Sequence, residues 1–279
     1  MATRASCGEN GIAFTVRQTW AVKVAWLHVA PVKGLSLEAR DHVELGPSGV
    51  EDDRRFLLIG EDGRLVNGKR LAALTTIGAH FDPATDRLEL RMPGGARVAG
   101  TVIVGRPITI NGHQAPGHLV EGPWAAALSE ELGRDIRLVR LDDPGRGHDR
   151  AGKQGAATLL SIASLERMAD EAKVDGKVDP RRFRMLIGID GASAHEEDGW
   201  IGKRVRVGEA VVVPGGNVGR CQVTTLDPDK GVSDLDTLDV LAGYRGDLQT
   251  SEPLAFGIWA RVERAGRIAV GDDITVSDG

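Results

Sequence analysis

Two cysteines, Cys7 and Cys221, are all that this 279-residue chain contains. So few thiols exclude a disulfide framework, a zinc finger and a four-cysteine iron–sulfur cluster, and they fit a reducing cytoplasm. Long apolar runs are also missing. No stretch approaches the roughly 20 residues that a membrane-spanning helix needs, and the opening MATRASCGENG lacks the apolar core of a secretion signal. Positive charge is not in excess: 35 basic against 40 acidic residues give a formal charge of −5. That balance argues against a generally cationic nucleic-acid binder but leaves room for a local basic pocket. Neither nucleic acid nor membrane is expected as a partner. A small molecule is.

What is present is enough apolar residue, 41%, to exclude disorder and to build one large or two modest cores. Short β-branched runs punctuated by Gly, Pro, Asp and Asn dominate: Val22 to Val29, Arg55 to Ile59, Leu88 to Met92, Thr101 to Val104 and Ile108 to Ile110. Helical patterns are few and short, at Pro123 to Leu132, Ser164 to Lys173 and Asp236 to Tyr244. The fold class is therefore mainly β with some α, largely antiparallel. Near the end, Gly257 to Glu263 and Arg267 to Ala269 read as a pair across Arg264-Ala265-Gly266, with a last strand at Ile274 to Val276 closing a barrel. Residues 1–19 read as a loosely held tail. A domain boundary is expected near Pro116-Gly117, giving units 20–116 and 117–279.

Several signatures dissolve on inspection. Gly63-Arg-Leu-Val-Asn-Gly68-Lys69-Arg70 has phosphate-loop spacing, yet Arg70 stands where a magnesium-binding hydroxyl belongs, and Glu61-Asp62-Gly63 looks like a hairpin turn. The seven histidines, at 28, 42, 80, 113, 118, 148 and 195, show no paired ligand spacing, and His148 lies in the run Asp142 to Gly155, read as flexible. Asp227, Asp229 and Gly231 lack the downstream glutamate of a calcium loop and read as a turn.

Cys221 stands out. It sits in Gly219-Arg-Cys-Gln-Val-Thr-Thr-Leu-Asp-Pro-Asp-Lys-Gly231, between a glycine-rich loop and a β-branched run read as a strand. Arg220 supplies an adjacent cation that favours thiolate, and Gly215, Gly216 and Gly219 would let backbone approach whatever the sulfur meets. Taken alone, a buried structural cysteine is an equal reading.

The ordered set of motifs resembles the MOSC proteins, named for the carboxy-terminal domain of molybdenum-cofactor sulfurase, and especially their amidoxime-reducing branch. The motifs are Ala30-Pro-Val-Lys33-Gly34, Gly49-Val-Glu-Asp-Asp53-Arg54-Arg-Phe56 with the Asp62-Gly63 hairpin, Ser161-Ile-Ala163-Ser164-Leu165, Arg182-Phe183-Arg184 read as strand, Glu197-Asp198-Gly-Trp200, Arg220-Cys221, and Thr237-Leu238 before Tyr244-Arg245. The resemblance implies a MOSC β-barrel domain preceded by a MOSC-associated β domain. It also implies a molybdenum cofactor with Cys221 as its sole protein metal ligand and the catalytic centre of the site. Lys33, Gly34, Arg54, Arg184, Gly219, Arg220, Tyr244 and the helix start Ala163-Ser164-Leu165 would hold the pterin and its phosphate. The family's Phe-Arg-Pro-Asn appears here as Phe183-Arg184-Met185-Leu186, which removes a polar side chain from the pocket wall. Asp198 and Trp200 fit a bracing role. The activity implied is reduction of N-hydroxylated or other N-oxygenated compounds. With no further cysteines before Gly279, electrons are expected from a separate flavin, haem or iron–sulfur protein. A cysteine-persulfide sulfurtransferase and a molybdenum-cofactor carrier stay open as alternatives.

Overall fold

The computed structural model describes residues 21–110, 116–143, 156–250 and 252–278. The expected tail with Cys7, together with His113, His148 and most of the Asp142–Gly155 run, lies outside the described residues. The chain begins with strands β1 (Lys23–Val29), β2 (Glu38–Arg40), β3 (His42–Gly46), β4 (Gly49–Val50), β5 (Phe56–Ile59) and β6 (Leu65–Val66). Strands β7 (Gly78–Asp82), β8 (Arg87–Arg91), β9 (Arg97–Thr101), β10 (Ile103–Ile108) and β11 (Gly117–Glu121) follow, then helix α1 (Trp124–Leu132) and β12 (Arg137–Leu141). The remainder runs β13 (Ala157–Ser161), α2 (Ile162–Ala172), β14 (Ile187–Asp190), β15 (Arg204–Val207), β16 (Ala210–Gly219), α3 (Thr237–Arg245), β17 (Ala255–Arg264), β18 (Gly266–Ala269) and β19 (Ile274–Ser277). The chain is mainly β with three α-helices among the described residues, each within two residues of its sequence pattern.

Eight strands make the largest sheet, in the order β19-β15-β16-β17-β13-β14-β1-β2. A second sheet runs β10-β11-β12-β5-β6, and two three-stranded sheets are β18-β3-β4 and β7-β8-β9. The divide expected at Pro116-Gly117 thus falls between two paired strands, β10 and β11, and β12 continues that sheet onto β5. In the other direction β1 leaves the amino-terminal half to pair with β14. The expected hairpin across Arg264-Ala265-Gly266 does not form either. β17 pairs with β16 and β13, and β18 turns away to pair with β3, which sets Ile268 opposite Val43 with both in the core. The large sheet does not close by a continuous ladder among the described residues. Strand β1, next to one end, meets the segment before β19, the other end, through one isolated bridge, Lys23 with Asp273, flanked by backbone bonds from Val24 N–H to Asp272 O (2.9 Å) and Ile274 N–H to Val22 O (2.7 Å).

Local chemistry explains the elements that frame the site. Helix α2 begins where the Ser161 hydroxyl accepts the Ser164 N–H at 3.1 Å, an N-cap, and it buries Leu165, Met168 and Ala169 at helical spacing. Burial of Leu165 and Met168 contributes about 1.5–3 kcal/mol each, and a charge at Met168 would break the packing. Between β5 and β6 the Glu61-Asp62-Gly63 turn forms as expected, with Gly63 at φ +71°, a conformation glycine adopts without strain. Four cores result among the described residues: one inside the large sheet (Leu27, Ile187, Ile258), one in the amino-terminal half (Phe56, Phe81, Trp124), one under α2 and α3 (Met168, Phe183, Phe256) and a small one on the other face of β5 and β12 (Leu57, Ile59, Val139). The loops that leave β1, β6 and β16 converge between them.

Candidate functional site

Strand β16 is bulged against β17 at three places, and it ends at Gly219, where an added Cβ would lie 3.0 Å from Pro253 O. Such bulges re-aim a strand end. The segment after it is not a strand, as the β-branched composition had indicated, but a 3₁₀ turn, Gln222–Thr225, with Cys221 as its extended N-cap residue. The Cys221 carbonyl accepts both the N–H and the hydroxyl of Thr224, each at 3.0 Å, and that hydroxyl also meets the Thr237 hydroxyl at 2.6 Å. The backbone is pinned while the free thiol stays half-buried at the wall of an open pocket of about 280 Å³, near the lower end of ordinary ligand sites, roughly 300–1,000 Å³.

That pocket brings together Lys33, Gly34, Arg54, Arg184, Gly219, Arg220 and Cys221. Arg54 and Arg184 both occupy the left-handed region, at φ +55° and +54°. Non-glycine residues there are uncommon and held by their surroundings. Arg54 Nη2 donates to Arg184 O at 3.0 Å while Nη1 pairs with Asp53, whose other oxygen accepts the Ala30 N–H at 2.8 Å. Arg184 Nη2 reaches Leu35 O at 2.8 Å. The two arginines therefore tie the loop after β1 to the segment before β14. Arg182-Phe183-Arg184 is not a strand: Pro180–Phe183 is a 3₁₀ turn, started by the Asp179 carboxylate accepting the Arg181 N–H and Pro180 fixing φ, and Arg184 is its C-cap. Arg220 lies 5.4 Å over the Phe183 ring and donates to Phe256 O (2.9 Å), Phe183 O (2.8 Å) and Met185 Sδ (3.0 Å). It builds the pocket floor as well as its charge.

Four expected contacts lie elsewhere. Ala163, Ser164, Leu165 and Tyr244 do not line this pocket. The Ser164 N–H is already taken by the Ser161 cap, and the Ser164 hydroxyl donates to Glu197 Oε1 at 2.9 Å, which also accepts the Ser161 N–H at 3.2 Å. All three residues are fully buried. A helix start closed by its own serine and faced by a carboxylate is a poor seat for phosphate. Leu165 is core and Ala163 flanks it. Tyr244 packs against His195, centroids 5.7 Å apart, beneath the Arg167 guanidinium at 5.9 Å. Burial pushes the Tyr244 phenol up to about 12 and the His195 imidazole down to about 4. Gly215 serves packing too, since a Cβ there would come 2.4 Å from the Trp259 ring, and neither it nor Gly216 lines the pocket. Asp198 accepts from Asn217 (2.7 Å) and Arg245 (2.7 Å), and Trp200 is core, so both brace the sheet.

The sequence reading missed Asn67, Gly68 and Lys69, which line the pocket together with Thr158, Met185 and Val223. The one available signal was the glycine-lysine pair set aside with the phosphate-loop spacing. Lys33, Lys69, Arg54, Arg182, Arg184 and Arg220 give the lining six cations, and it contains no carboxylate. No group of three or more His, Cys, Asp or Glu side chains able to hold a metal occurs among the described residues. A metal at Cys221 would thus have to bring most of its own ligands.

Two family models match the chain. Residues 21–121 match the MOSC N-terminal beta barrel domain and residues 146–275 the MOSC domain. Mitochondrial amidoxime reducing component 2 of Bos taurus is 29% identical, with 93% of this chain and 84% of that protein covered. Molybdenum cofactor sulfurase of Oryza sativa subsp. japonica is 26% identical, covering 84% of this chain and 32% of the rice protein. Among solved structures, the YUAD protein from Bacillus subtilis covers 93% of this chain and 97% of its own at 12% identity and a TM-score of 0.43.

Proposed function

The chain belongs to the MOSC domain family, and from that premise we propose that it is a molybdenum-cofactor-dependent reductase of N-hydroxylated or other N-oxygenated small molecules, with Cys221 as the protein's ligand to the metal. The observation that carries this reading is the half-buried thiol in a pocket with six lining cations and no carboxylate. A soft, ionisable sulfur suits a high-valent metal with sulfur ligands, and coordination deprotonates a thiol outright. The cationic wall suits an anionic pterin phosphate. When bound, the cofactor supplies two-electron chemistry and an open coordination position.

The chain's own residues position and neutralise. Arg54 and Arg184 bind the anionic end, Arg220 fixes the floor beneath Met185, and Thr224 sets the backbone that aims Cys221. In the overall reaction the N–O bond of an amidoxime breaks, two electrons and two protons enter, and amidine and water leave. The electrons come from a reduced flavin, haem or iron–sulfur protein.

Sulfur transfer is the second reading, favoured by the match to a protein named molybdenum cofactor sulfurase. There the Cys221 thiolate takes the terminal sulfur of a donor persulfide and releases the donor thiolate. One preparation separates the two: protein made in a host that synthesises the cofactor, assayed for molybdenum, for persulfide and for benzamidoxime reduction by a reduced viologen. Stoichiometric molybdenum with turnover supports the reductase. Metal-free protein carrying a reducible persulfide on Cys221 overturns it.

A further inference from the structure

Asn67 organises the turn that carries Lys69 to the wall of the Cys221 pocket. Its carbonyl accepts the N–H groups of Arg70 and Leu71, each at 3.0 Å, and its side-chain oxygen accepts the Lys69 N–H at 3.1 Å. The turn is wedged between the two halves of the molecule. An added Cβ on Gly34 would lie 3.8 Å from Asn67 Cα, and one on Gly68 would lie 3.4 Å from a Val223 methyl, two residues beyond Cys221. Lys69 is therefore carried at the pocket wall by a segment held from both sides.

Its charge differs in kind from that of the pocket's four arginines. The arginines of the pocket direct N–H groups to protein acceptors: Arg54 to Asp53, Arg182 to Asp234 and Thr225 O, Arg184 to Leu35 O, Arg220 to Phe256 O. Lys69 is exposed and its ammonium meets no carboxylate among the described residues. An ammonium is a compact point charge that does not demand the bidentate geometry of a guanidinium. It suits an anion that varies from one ligand to the next. The cofactor's phosphate is a fixed group better matched by the arginines.

We propose that Lys69 is a specificity-determining residue that selects substrates by charge, so that the pocket prefers N-oxygenated compounds bearing a carboxylate. The proposal rests on the reductase reading and deepens it. The test compares benzamidoxime with para-carboxybenzamidoxime in wild type, Lys69→Gln and Lys69→Arg, all carrying cofactor. Calorimetric binding of the corresponding product, para-carboxybenzamidine, is measured in parallel. The ratio of kcat/KM values is expected to favour the carboxylated probe by about tenfold at low salt and to shrink as salt screens the charge. Lys69→Gln is expected to remove that preference through KM, and Lys69→Arg to restore it. An unchanged ratio in Lys69→Gln overturns the proposal, as does loss of cofactor from that variant, which would assign Lys69 to the phosphate. If neither probe is reduced, binding decides. Affinity for para-carboxybenzamidine that drops about tenfold in Lys69→Gln supports the anion subsite while the reductase reading fails. Unchanged affinity overturns the subsite.

Discussion

Two polar regions lie against the same core of Met168, Phe183 and Phe256, and they have opposite characters. Around Cys221 the groups are cationic, lining an open pocket and drawn from loops of both halves. Behind the start of α2, Ser161, Ser164 and Glu197 form a sealed cluster that satisfies its own donors. Both contain features associated with anion binding, positive side chains in one and a helix N-terminus in the other. Only the first leaves capacity for a ligand. The difference teaches that a helix start must be judged by what already occupies its N–H groups.

The largest expected effect falls on the open region. Cys221→Ser exchanges a soft ligand for a hard one, and reductase turnover should fall more than about a hundredfold. Molybdenum spectroscopy with pterin analysis should show the metal environment altered while pterin remains partly bound. Full turnover with an unchanged metal spectrum would remove Cys221 from the site.

The sealed region breaks differently. Glu197→Ala strands the Ser161 N–H and the Ser164 hydroxyl, and denaturant unfolding should register a loss of about 2–4 kcal/mol. Burial raises the Glu197 carboxyl above its ordinary value, so Glu197→Gln, which keeps an acceptor, should cost far less. If Glu197→Ala emptied the cofactor while stability stayed put, the contrast between the regions would collapse.

Arg54 sharpens the comparison because it does both jobs. It lines the pocket and also ties Asp53 to Arg184 O. Arg54→Ala should lower cofactor content and also cost about 1–2 kcal/mol of stability. Arg54→Lys, with charge but no fork, should rescue cofactor content more than stability. Equal rescue of both would show that one role suffices.

The smallest effect is a slope. Burial holds His28 and His195 down to about 4 against an ordinary 6.5. The unfolded chain therefore takes up protons first. Their contribution is full above about pH 6.5 and is lost as pH falls towards 4. Asp52 and Glu197, raised by burial, act in the opposite sense. Thermal unfolding of His195→Gln should give a Tm that declines less steeply across that window than the wild type's; an identical slope would show that this histidine is not held neutral.

Much of this was legible in the chain because local patterns decide local structure. The three helices, the Gly63 turn and the Asp227–Gly231 turn all follow from periodicity and turn chemistry. Motif order located Lys33, Arg54, Arg184 and Cys221, which the fold assembles in one pocket. What escaped depends on distant partners. Nothing local in Gly266 to Ala269 says that it prefers β3 over β17, and nothing in Ser161 to Leu165 shows Glu197 arriving from more than thirty residues away. Asn67 to Lys69 looked like an ordinary loop because Gly34 and Val223, which wedge it, lie far off in sequence.

Strand β1 carries one more consequence. Its residues Lys23 and Val24 pair with Asp190 and Ile189, and Val24 also bonds to Asp272. The Leu27–Val29 end pairs locally with β2, but the edge that meets β14 must wait until that distant strand has been made, the kind of long-range closure that slows folding and exposes strand edges. A fragment limited to residues 146–275 would lack β1 and leave β14 with a bare edge. Strand β1 acts as a late-closing seam for the half of the protein that bears the thiol.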